Sequence, residues 1–556
     1  MKYSFKYQNV VKVFAAAVCL LSIQNTFAQK SSKPNIILVM VDDLGFSDIG
    51  PYGANEIETP NLDRLATEGL RLKEFYNNSI CAPTRASLLT GQYQHKAGVG
   101  YFNVNLGLPA YQGFLNKESL TIAEVLKQGG YSTLMSGKWH VGDDKDQWPN
   151  QRGFDKFFGF IGGASNYYEL GETGKQTVQL IKNNQPYALK PGNYLTDEIT
   201  SNALGFLDEQ NKENKPFFLY LAFNAPHWPL QATEEDIAKY KGRYSMGWDS
   251  LRVLRHQNAI KKGVIDPSQK ITARDKQVKP WDKLTYDEQQ YWQRRQEVFA
   301  AMIDHVDQSL GKVLTKLKQL KKDENTLIVF ISDNGAQGGN STRIYTQRTT
   351  GPVGSAGSYE YENSNWSQTG NSPLRSYKDS PYEGGISAPF IAWYPKKVKA
   401  NTVAQGTAHL IDLAPTFYDL AGIKYPSNYN GIQSNPLAGR SLVPLLTGQA
   451  NTVNRGEPLF WERSGKTAVR DGKWKLVFPG GPDAKYELYD LEKDRAENVN
   501  VASANPEIVQ KLSAEYKKWA AKNDVVDYNL LRPLVQQSNR AAAGGSSQSS
   551  TNRAND

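Results

Sequence analysis

The sequence predicts an α/β fold, with a large, mostly parallel β-sheet sandwiched by helices and a smaller C-terminal α+β subdomain that contains an antiparallel sheet. Apolar runs typical of parallel strands buried on both faces occur at residues 35–41, 131–136, 217–223 and 326–332. Helical patterns separate these runs, and the apolar residues between 299 and 317 are spaced for one helical face. Further on, segments 467–477 and 486–491 resemble antiparallel strands with turns, and 506–521 is predicted as a helix.

The first 28 residues have the features of a secretory signal peptide. Three lysines precede an apolar run from residue 13 to 23, and Ala28 provides a small residue before the expected cleavage point. The run is about half the roughly 20 residues that a membrane span requires, so we expect no span. A lipoprotein anchor at Cys19 is disfavoured by the bulky Val18 before it. We therefore expect an exported protein, periplasmic or secreted.

Length and composition are those of a globular protein with more than one domain. Of the 556 residues, 39% are hydrophobic and 22% are charged, which predicts one large domain and a smaller partner. The predicted divisions are a signal peptide at 1–28, a catalytic domain at 29–440, a C-terminal subdomain at 441–535 and a disordered, low-complexity tail at 536–556. The formal charge of +9, which loss of the signal peptide would reduce by three, suits anionic substrates. No nucleic-acid partner is expected.

Polar side chains follow each of the four predicted strands. Ligands bind beyond the carboxyl ends of the strands in an open parallel sheet, so these side chains are expected to meet at one edge. In chain order they are Asp42 and Asp43, Lys138 and His140, His227, and finally Asp333 and Asn334. Lys378 follows a Gly- and Ser-rich stretch, 336–377, that is predicted to be a long loop.

The two acidic motifs predict a metal site. Their four residues, which follow the first and fourth strands, offer only oxygen ligands, and these favour calcium or magnesium over zinc. Taken singly, Asp-Asn-Gly is a turn and Asp-Asp a helix cap, but two such motifs at the ends of buried strands favour a metal ion. The lysines and histidines at the other strand ends predict an anion site. The histidines without this placement are assigned no catalytic role: His95, His256, His305 and His409.

A single thiol lies in the stretch ICAPTRASLLTG, residues 80–91. Pro83 suits the first turn of a helix and Gly91 its end, which places Cys81 and Arg85 near the positive pole of that helix. A nucleophile there would face a bound anion. Loss of Cys19 with the signal peptide would leave Cys81 unpaired in an exported protein, where cysteines usually form disulfides. A buried, inert cysteine is the alternative.

The stretch from Cys81 to Gly91 resembles the signature of type I, formylglycine-dependent sulfatases of the alkaline phosphatase superfamily, in their arylsulfatase-like branch. Further motifs occur in family order: Asp42-Asp43, Gly137-Lys138-Trp139-His140, Ala225-Pro226-His227-Trp228-Pro229, Asp333-Asn334-Gly335 and Lys378 to Gly385. The resemblance implies that a formylglycine-generating maturation enzyme oxidises Cys81 to formylglycine (3-oxoalanine). It also implies that one calcium ion per chain is held by Asp42, Asp43, Asp333 and Asn334.

The same resemblance implies the roles of the other site residues. Hydrated formylglycine would attack sulfur in line, with Arg85 steadying it and Asp333 acting as the base. Either His227 or Lys378 would protonate the departing alcohol. His140 would help to expel sulfate by deprotonating the remaining hydroxyl group. The sulfate oxygens would be neutralised by Lys138, His227 and Lys378.

These inferences predict an exported, calcium-dependent sulfatase that acts on sulfated carbohydrates of algal or host origin, with aryl sulfates as side substrates. Tyr359, Tyr361 and Trp366 are predicted to stack on a sugar or aryl ring, or else only to order their loop. Tyr382, where many members of the family have His or Asn, leaves the substrate contacts open. The alternatives are hydrolysis of phosphodiesters or phosphonate monoesters, and silent binding of sulfated glycans with Cys81 unmodified.

Overall fold

A computed structural model describes residues 33–168, 179–213, 215–339 and 349–548. The predicted signal peptide and the end of the predicted tail, residues 549–556, lie outside these ranges. Within the ranges, no helix combines the length and the apolar character that crossing a bilayer requires.

Strands and helices alternate along most of the described chain. The strands are β1 (Asn35–Val41), β2 (Leu70–Tyr76), β3 (Ser132–Lys138), β4 (Lys156–Phe160), β5 (Leu180–Lys182), β6 (Gln185–Tyr187), β7 (Phe217–Ala222), β8 (Thr326–Ser332), β9 (Phe390–Trp393), β10 (Thr402–His409), β11 (Asn428–Tyr429), β12 (Ile432–Gln433), β13 (Leu459–Arg463), β14 (Lys466–Asp471), β15 (Trp474–Phe478) and β16 (Glu487–Asp490). The α-helices are α1 (Pro60–Glu68), α2 (Cys81–Thr90), α3 (Ile122–Gln128), α4 (Leu195–Asn211), α5 (Glu234–Tyr240), α6 (Gly247–Lys261), α7 (Tyr286–Gln319), α8 (Ser364–Gly370), α9 (Glu383–Ile386), α10 (Leu413–Ala421), α11 (Val443–Leu446), α12 (Pro506–Lys522) and α13 (Tyr528–Gln548).

The large sheet contains ten strands among the described residues, in the order β10-β2-β9-β8-β1-β7-β3-β4-β5-β6. Its centre is parallel, because β1 pairs in parallel with β7 and β8, and β3 with β7 and β4. Strand β9 runs antiparallel between β2 and β8, and β5 and β6 form an antiparallel edge. The prediction of a large, mostly parallel sheet is confirmed.

Both faces of the large sheet are covered by helices. In β1, Ile36, Leu38 and Met40 join one core, and the alternate residues Ile37 and Val39 join the other. Helices α2, α3 and α10 pack on the first face, and α1, α4 and α7 pack on the second. Burial on both faces explains why these strands read as continuous apolar runs in the sequence.

The C-terminal sheet packs on the first of these two cores. Strands β13 to β16 pair antiparallel in chain order, as predicted. Their buried residues, among them Trp461, Val469 and Leu476, belong to the same core as Leu38 of β1. Helix α12 adds Trp519 to that core. The boundaries between the predicted domains stay predictions.

Two segments predicted to be irregular contain helices. The stretch 336–377 includes α8, and Trp366 of α8 is buried in the second core. Helix α13 (Tyr528–Gln548) extends into the segment predicted to be a disordered tail, and the bounds of that tail stay a prediction. Leu531 of α13 and Tyr111 belong to one small apolar cluster, which anchors the start of that helix. The polar composition of the tail did not indicate this helix.

Candidate active site

The predicted site residues meet at the carboxyl edge of the large sheet. Asp42 and Asp43 follow β1, and Asp333 follows β8. The parallel register of β1 with β7 and β8 places these strand ends side by side. Lys138, the last residue of β3, and His227, which lies beyond β7, both reach the aspartates after β1.

Helix α2 holds Cys81 at its first turn. The helix begins at Cys81, directly after the extended Ile80, and it ends where the N–H of Gly91 donates to the carbonyl of Ser87. Gly91 has a φ of 67°, and a Cβ there would lie 2.9 Å from the Cβ of Ala414. Glycine is therefore required at this position, as the helix-end prediction supposed. Every residue of α2 is buried, so the helix has no solvent-facing side.

The thiol of Cys81 is not activated by its surroundings. Burial raises the pKa of Cys81, although Lys138 and Lys378 act in the opposite direction. The residue is only 3% exposed. A thiol in such an environment stays protonated at neutral pH and is a weak nucleophile.

Arg85 connects α2 to the strands of the large sheet. Its Nη1 donates to the carbonyl of Lys138 at 3.1 Å and to the hydroxyl of Tyr220 at 3.3 Å. Its Nη2 donates to Oδ2 of Asp333 at 3.1 Å and lies 3.6 Å from Oδ2 of Asp42. Because the guanidinium is fully buried, these contacts fix the start of α2 at the sheet edge.

Two lysines pair with the two aspartates after β1. Nζ of Lys138 lies 2.5 Å from Oδ2 of Asp42, and Nζ of Lys378 lies 2.5 Å from Oδ1 of Asp43. Burial acts to raise the pKa of Asp42, but Lys138, His227 and Arg85 together hold that pKa below its usual value. Burial acts to lower the pKa of Lys378, but Asp43 and its neighbours raise that pKa above normal. Asp42 is therefore ionised and Lys378 is charged at neutral pH.

Three buried oxygens at this edge accept no hydrogen bond from any described residue: Oδ1 of Asp42, Oδ2 of Asp43 and Oδ1 of Asn334. Leaving such atoms unpaired costs about 1–3 kcal/mol each, and more for charged groups. Hard oxygens in this arrangement are the ligands that calcium prefers. Ligand atoms of Asp42, Asp43 and His227 lie within 4.8 Å of one another, close enough to hold one metal ion.

Asp333, the remaining predicted metal ligand, uses its carboxylate differently. Oδ2 accepts from Arg85, and Oδ1 accepts from the backbone N–H of Asp43 at 3.2 Å. Asn334 is joined to the same group, because its Nδ2 donates to Oδ1 of Asp43 at 2.7 Å. The donor set thus fits calcium best at Asp42, Asp43 and Asn334, with Asp333 beside them.

Two titratable groups have pKa values suited to proton transfer. Burial lowers the pKa of His227 to about 4, although Asp42 and Asp43 act to raise it. Burial and the charge of Asp42 raise the pKa of Asp333 to about 7. Nδ1–H of His227 donates to the carbonyl of Trp228 at 2.7 Å, so Nε2 is the nitrogen that lies 3.6 Å from Oδ2 of Asp43. His227 is therefore neutral at neutral pH with Nε2 unprotonated, and Asp333 is a buried carboxyl group whose pKa is raised toward neutrality.

Asn103 contacts His140, and sequence reasoning did not identify it. Oδ1 of Asn103 lies 3.3 Å from Nε2 of His140, and Nδ2 of Asn103 donates to both carboxylate oxygens of Asp143 at 3.1 and 3.3 Å. Since the carboxylate only accepts, the amide oxygen faces His140, and Nε2 carries the proton. Burial, together with Lys138, lowers the pKa of His140 well below its usual value. Nδ1 of His140 is buried and has no partner among the described residues.

Two of the three predicted aromatic contacts, Trp366 and Tyr359, have different surroundings. Trp366 packs edge-on against Trp248, and its Nε1 donates to the carbonyl of Trp292 at 2.8 Å. The ring of Trp366 fills the second core and is 1% exposed, which favours the alternative that this residue orders its own segment. Tyr359 is partly buried, and its hydroxyl accepts from Nδ2 of Asn166 at 2.9 Å. Substrate contact by Tyr359 stays a prediction.

Comparisons with known proteins agree with this site. Residues 34–423 match the family model described as Sulfatase, and residues 377–522 match the model described as N-sulphoglucosamine sulphohydrolase, C-terminal. The chain is 34% identical over 540 residues to an uncharacterized sulfatase of Schizosaccharomyces pombe, which covers 89% of this chain and 95% of that protein. It is 32% identical over 451 residues to an arylsulfatase of Klebsiella aerogenes, which covers 78% of this chain and 95% of that protein.

A solved structure is similar over most of its length. The structure of Ps i-CgsB in complex with k-i-k-neocarrahexaose has a TM-score of 0.66 and 28% sequence identity to this chain. The similarity covers 89% of this chain and 94% of that one. The similarity therefore extends over most of both chains.

Proposed function

The chain belongs to the sulfatase family and is a sulfuric ester hydrolase, and from this premise we propose that it is an exported, calcium-dependent enzyme whose working group is a formylglycine made from Cys81. One observation carries the proposal. The first turn of α2, where Cys81 lies, faces Lys138 and Lys378 together with the aspartates after β1. This is an anion site next to a modifiable residue and a set of oxygen ligands.

The environment of Cys81 supports modification over direct use of the thiol. Burial raises the pKa of Cys81, so the thiol itself is a poor nucleophile. Formylglycine, once formed and hydrated, supplies a hydroxyl nucleophile for transfer of the sulfuryl group. Arg85 orients residue 81, because it binds the ends of β1, β3 and β8 at once.

The balance of charges among the site residues supports the binding of a metal ion. Lys138, Lys378 and Arg85 are each paired with a buried carboxylate, so a bound sulfate ester needs a further positive charge. Calcium held by Asp42, Asp43 and Asn334 would supply that charge and polarise the sulfate oxygens. The unpaired buried oxygens of these three residues are the observation that favours such a cation.

Protons are assigned to the groups with suitable pKa values. Asp333, whose pKa burial and Asp42 raise to about 7, takes up the proton of the nucleophile. The proton for the leaving alcohol is assigned to Lys378, whose neighbouring carboxylates raise its pKa and keep it charged. His227, whose pKa burial lowers to about 4, is neutral at pH 7 and carries its proton on Nδ1, so its Nε2 has no proton to donate. His140 is neutral with its proton on Nε2, which leaves Nδ1 as the basic nitrogen.

We assign sulfated carbohydrates as the main substrates and aryl sulfates as accessory ones. The similarity to Ps i-CgsB, which was solved with a neocarrahexaose, favours a saccharide. Export rests on the amino-terminal sequence alone, with its lysines, apolar run and Ala28. Amino-terminal sequencing of the exported protein tests this assignment, and a mature chain that retains the first 28 residues would contradict it.

The activity is tested by sulfate release from an aryl sulfate and from sulfated oligosaccharides. Protein produced together with a formylglycine-generating enzyme should hydrolyse both, and Cys81→Ala should reduce turnover to background. The variant should keep the unfolding temperature of the parent, because Ala fits the helix start. A chelator should remove the activity of the parent protein, and added calcium should restore it.

Two results would overturn the proposal. Turnover of an aryl phosphate diester equal to or faster than that of the matched aryl sulfate would assign the enzyme to phosphoester hydrolysis. An active protein whose Cys81 peptide keeps the mass of an unmodified thiol would exclude formylglycine as its working group.

A further inference from the structure

A polar cavity of about 530 Å³ adjoins the candidate active site. It is lined on one side by Ile80, which precedes Cys81, and by Lys378, which pairs with Asp43. Its other walls come from distant parts of the chain, including Lys466 at the start of β14. Several lining residues are small and polar, such as Ser380, which suits a ligand rich in hydroxyl groups.

Lys466 lies in this cavity next to the residue that follows Lys378. Its Nζ donates to the carbonyl oxygen and to Oδ2 of Asp379, both at 2.8 Å. An ammonium group has three N–H donors, so a third remains for another acceptor. The Lys466 side chain is 32% exposed, and it can therefore reach a ligand in the cavity without a change of fold.

The surroundings of Lys466 hold it in place and carry excess positive charge. Nε of Arg463 donates to Oδ1 of Asp379 at 2.9 Å, so one carboxylate pairs with two cations. Arg463 is itself fixed, because its guanidinium lies 4.3 Å from the ring centroid of Tyr101 and donates to the carbonyl of Tyr101. Burial acts to raise the pKa of Asp379, but these two cations lower it, so the carboxylate is ionised and the trio carries one net positive charge.

We propose that Lys466 binds a second anionic group of the substrate, so that the preferred substrates are saccharides with a further sulfate or carboxylate close to the sulfate that is cleaved. This inference rests on the proposed function, because the first sulfate must lie between residue 81 and Lys378. The cavity is wide enough for a sugar ring, and Lys466, which contacts the residue after Lys378, lines it together with Lys378. A neutral aryl group would make no use of that cation.

The experiment compares four substrates: an aryl monosulfate, a monosulfated disaccharide, the same disaccharide with a second sulfate, and the same disaccharide with a uronate. Lys466→Ala should lower kcat/KM about tenfold for the two dianionic substrates and change it less than about twofold for the other two. The sulfate and uronate arms show which anion is preferred. Lys466→Arg should retain the preference. Lys473→Ala is the matched control, since Lys473, in the turn between β14 and β15, is a 38% exposed lysine that pairs with Asp490.

Equal losses on all four substrates would show that Lys466 only orders the segment around Asp379, and unchanged kinetics would show no role at all; either result overturns the inference. Calorimetric measurement of disaccharide binding to the Cys81→Ala protein separates the inference from the proposed function. If that protein binds the dianionic disaccharides more tightly than the monosulfated one, and the Cys81→Ala, Lys466→Ala double variant does not, the anion site is supported even if the parent hydrolyses no sulfate ester. Hydrolysis of aryl sulfate without such a preference leaves the proposed function intact and rejects the anion site.

Discussion

Asn103 determines which nitrogen of His140 is basic. Its amide nitrogen donates to Asp143, so its oxygen must accept from Nε2 of His140, and Nδ1 is left as the acceptor. Without this contact the imidazole ring of His140 could flip, or it could carry its proton on Nδ1 instead of Nε2. Asn103 is thus a positioning residue, which acts through His140 and not on the substrate.

We expect Asn103→Ala to lower kcat about tenfold while KM changes little, because the basic nitrogen would be misplaced in part of the population. The proposed role of His140 is to help release sulfate after the alcohol has left. Stopped-flow measurement should therefore show that the first equivalent of alcohol is still released rapidly and that only steady-state turnover slows.

Asn105→Ala is the control for this prediction. Asn105 lies in the same loop and is exposed, and its Oδ1 accepts only from the nearby N–H of Gly107 among the described contacts. If Asn103→Ala slowed the first turnover as much as the later ones, or if Asn105→Ala had the same effect, the positioning role would be rejected.

Single residues also show where sequence reasoning succeeds and where it does not. Lys138 and Asp333 were predicted because each follows an apolar run, and Cys81 because it opens a predicted helix within a recognisable motif. Asn103 lies in no motif, and only the fold brings it to His140. Trp366 was predicted as a substrate contact from its aromatic side chain, but a sequence cannot show that Trp248 and Trp292 surround it.

Helix α7 contains a buried histidine, His305, whose charge changes within a pH range in which the stability of the fold can be measured. Burial acts to lower the pKa of His305, but hydrogen bonds to Asp197 and Asp236 raise it to about 9. Lys239 and Lys312 also contact these two carboxylates, so the histidine belongs to a mixed charge network between α4, α5 and α7. The folded-state pKa is above the usual 6.5 of histidine, so protonation stabilises the fold.

We expect this stabilisation to be fully present below about pH 6.5 and to be lost as the pH rises through about 9. His305→Gln should lower the free energy of unfolding by on the order of 1–3 kcal/mol at about pH 6, and by much less at about pH 9.5. Denaturant unfolding of both proteins across this range measures the difference. His256→Gln, at a histidine whose pKa burial lowers, is the control; a difference for His305→Gln that did not shrink with rising pH would contradict the assignment.

Strands and helices were predictable from the sequence where the local pattern of apolar residues agrees with their burial in the structure. The run 326–332 was predicted as a strand and forms β8 (Thr326–Ser332), because it is buried on both faces and apolar throughout. Helix α8 (Ser364–Gly370) was missed, since its sequence SNWSQTG has no apolar periodicity and its burial comes from packing against α6. Helix α13 extends past residue 536, where the polar, low-complexity composition did not predict a helix.

The large sheet and the C-terminal sheet are joined by buried charges as well as by a shared apolar core. Nζ of Lys475, on β15, lies 2.9 Å from Oε1 of Glu383 and 2.9 Å from Oε1 of Glu497, and all three side chains are fully buried. Oε2 of Glu383 accepts from the hydroxyl of Tyr76, the last residue of β2 in the large sheet, at 2.8 Å. The cluster therefore links the two sheets through α9, a few residues after Lys378.

The ionisation of the cluster depends on its lysine. Burial acts to raise the pKa of Glu383, but Lys475 and Arg495 lower it. Burial raises the pKa of Glu497 to about 7, with Lys475 acting in the opposite direction. Removal of the lysine would leave two buried carboxyl groups without their main cation, and one of them could stay uncharged only by taking up a proton.

Because the two sheets share one core and one charge cluster, we expect them to unfold together, with a single calorimetric transition for the parent protein.

Lys475→Met keeps the apolar stem of the side chain but removes its charge, and it should destabilise the fold by about 3–5 kcal/mol. Lys473→Met, two positions earlier and 38% exposed, should cost less than about 1 kcal/mol. Aryl sulfate turnover by Lys475→Met should fall as well, since the same cluster anchors the segment that carries Lys378. Two separate transitions in the parent, or equal stability of the two variants, would show that the sheets are independent units and that the buried cluster does not join them.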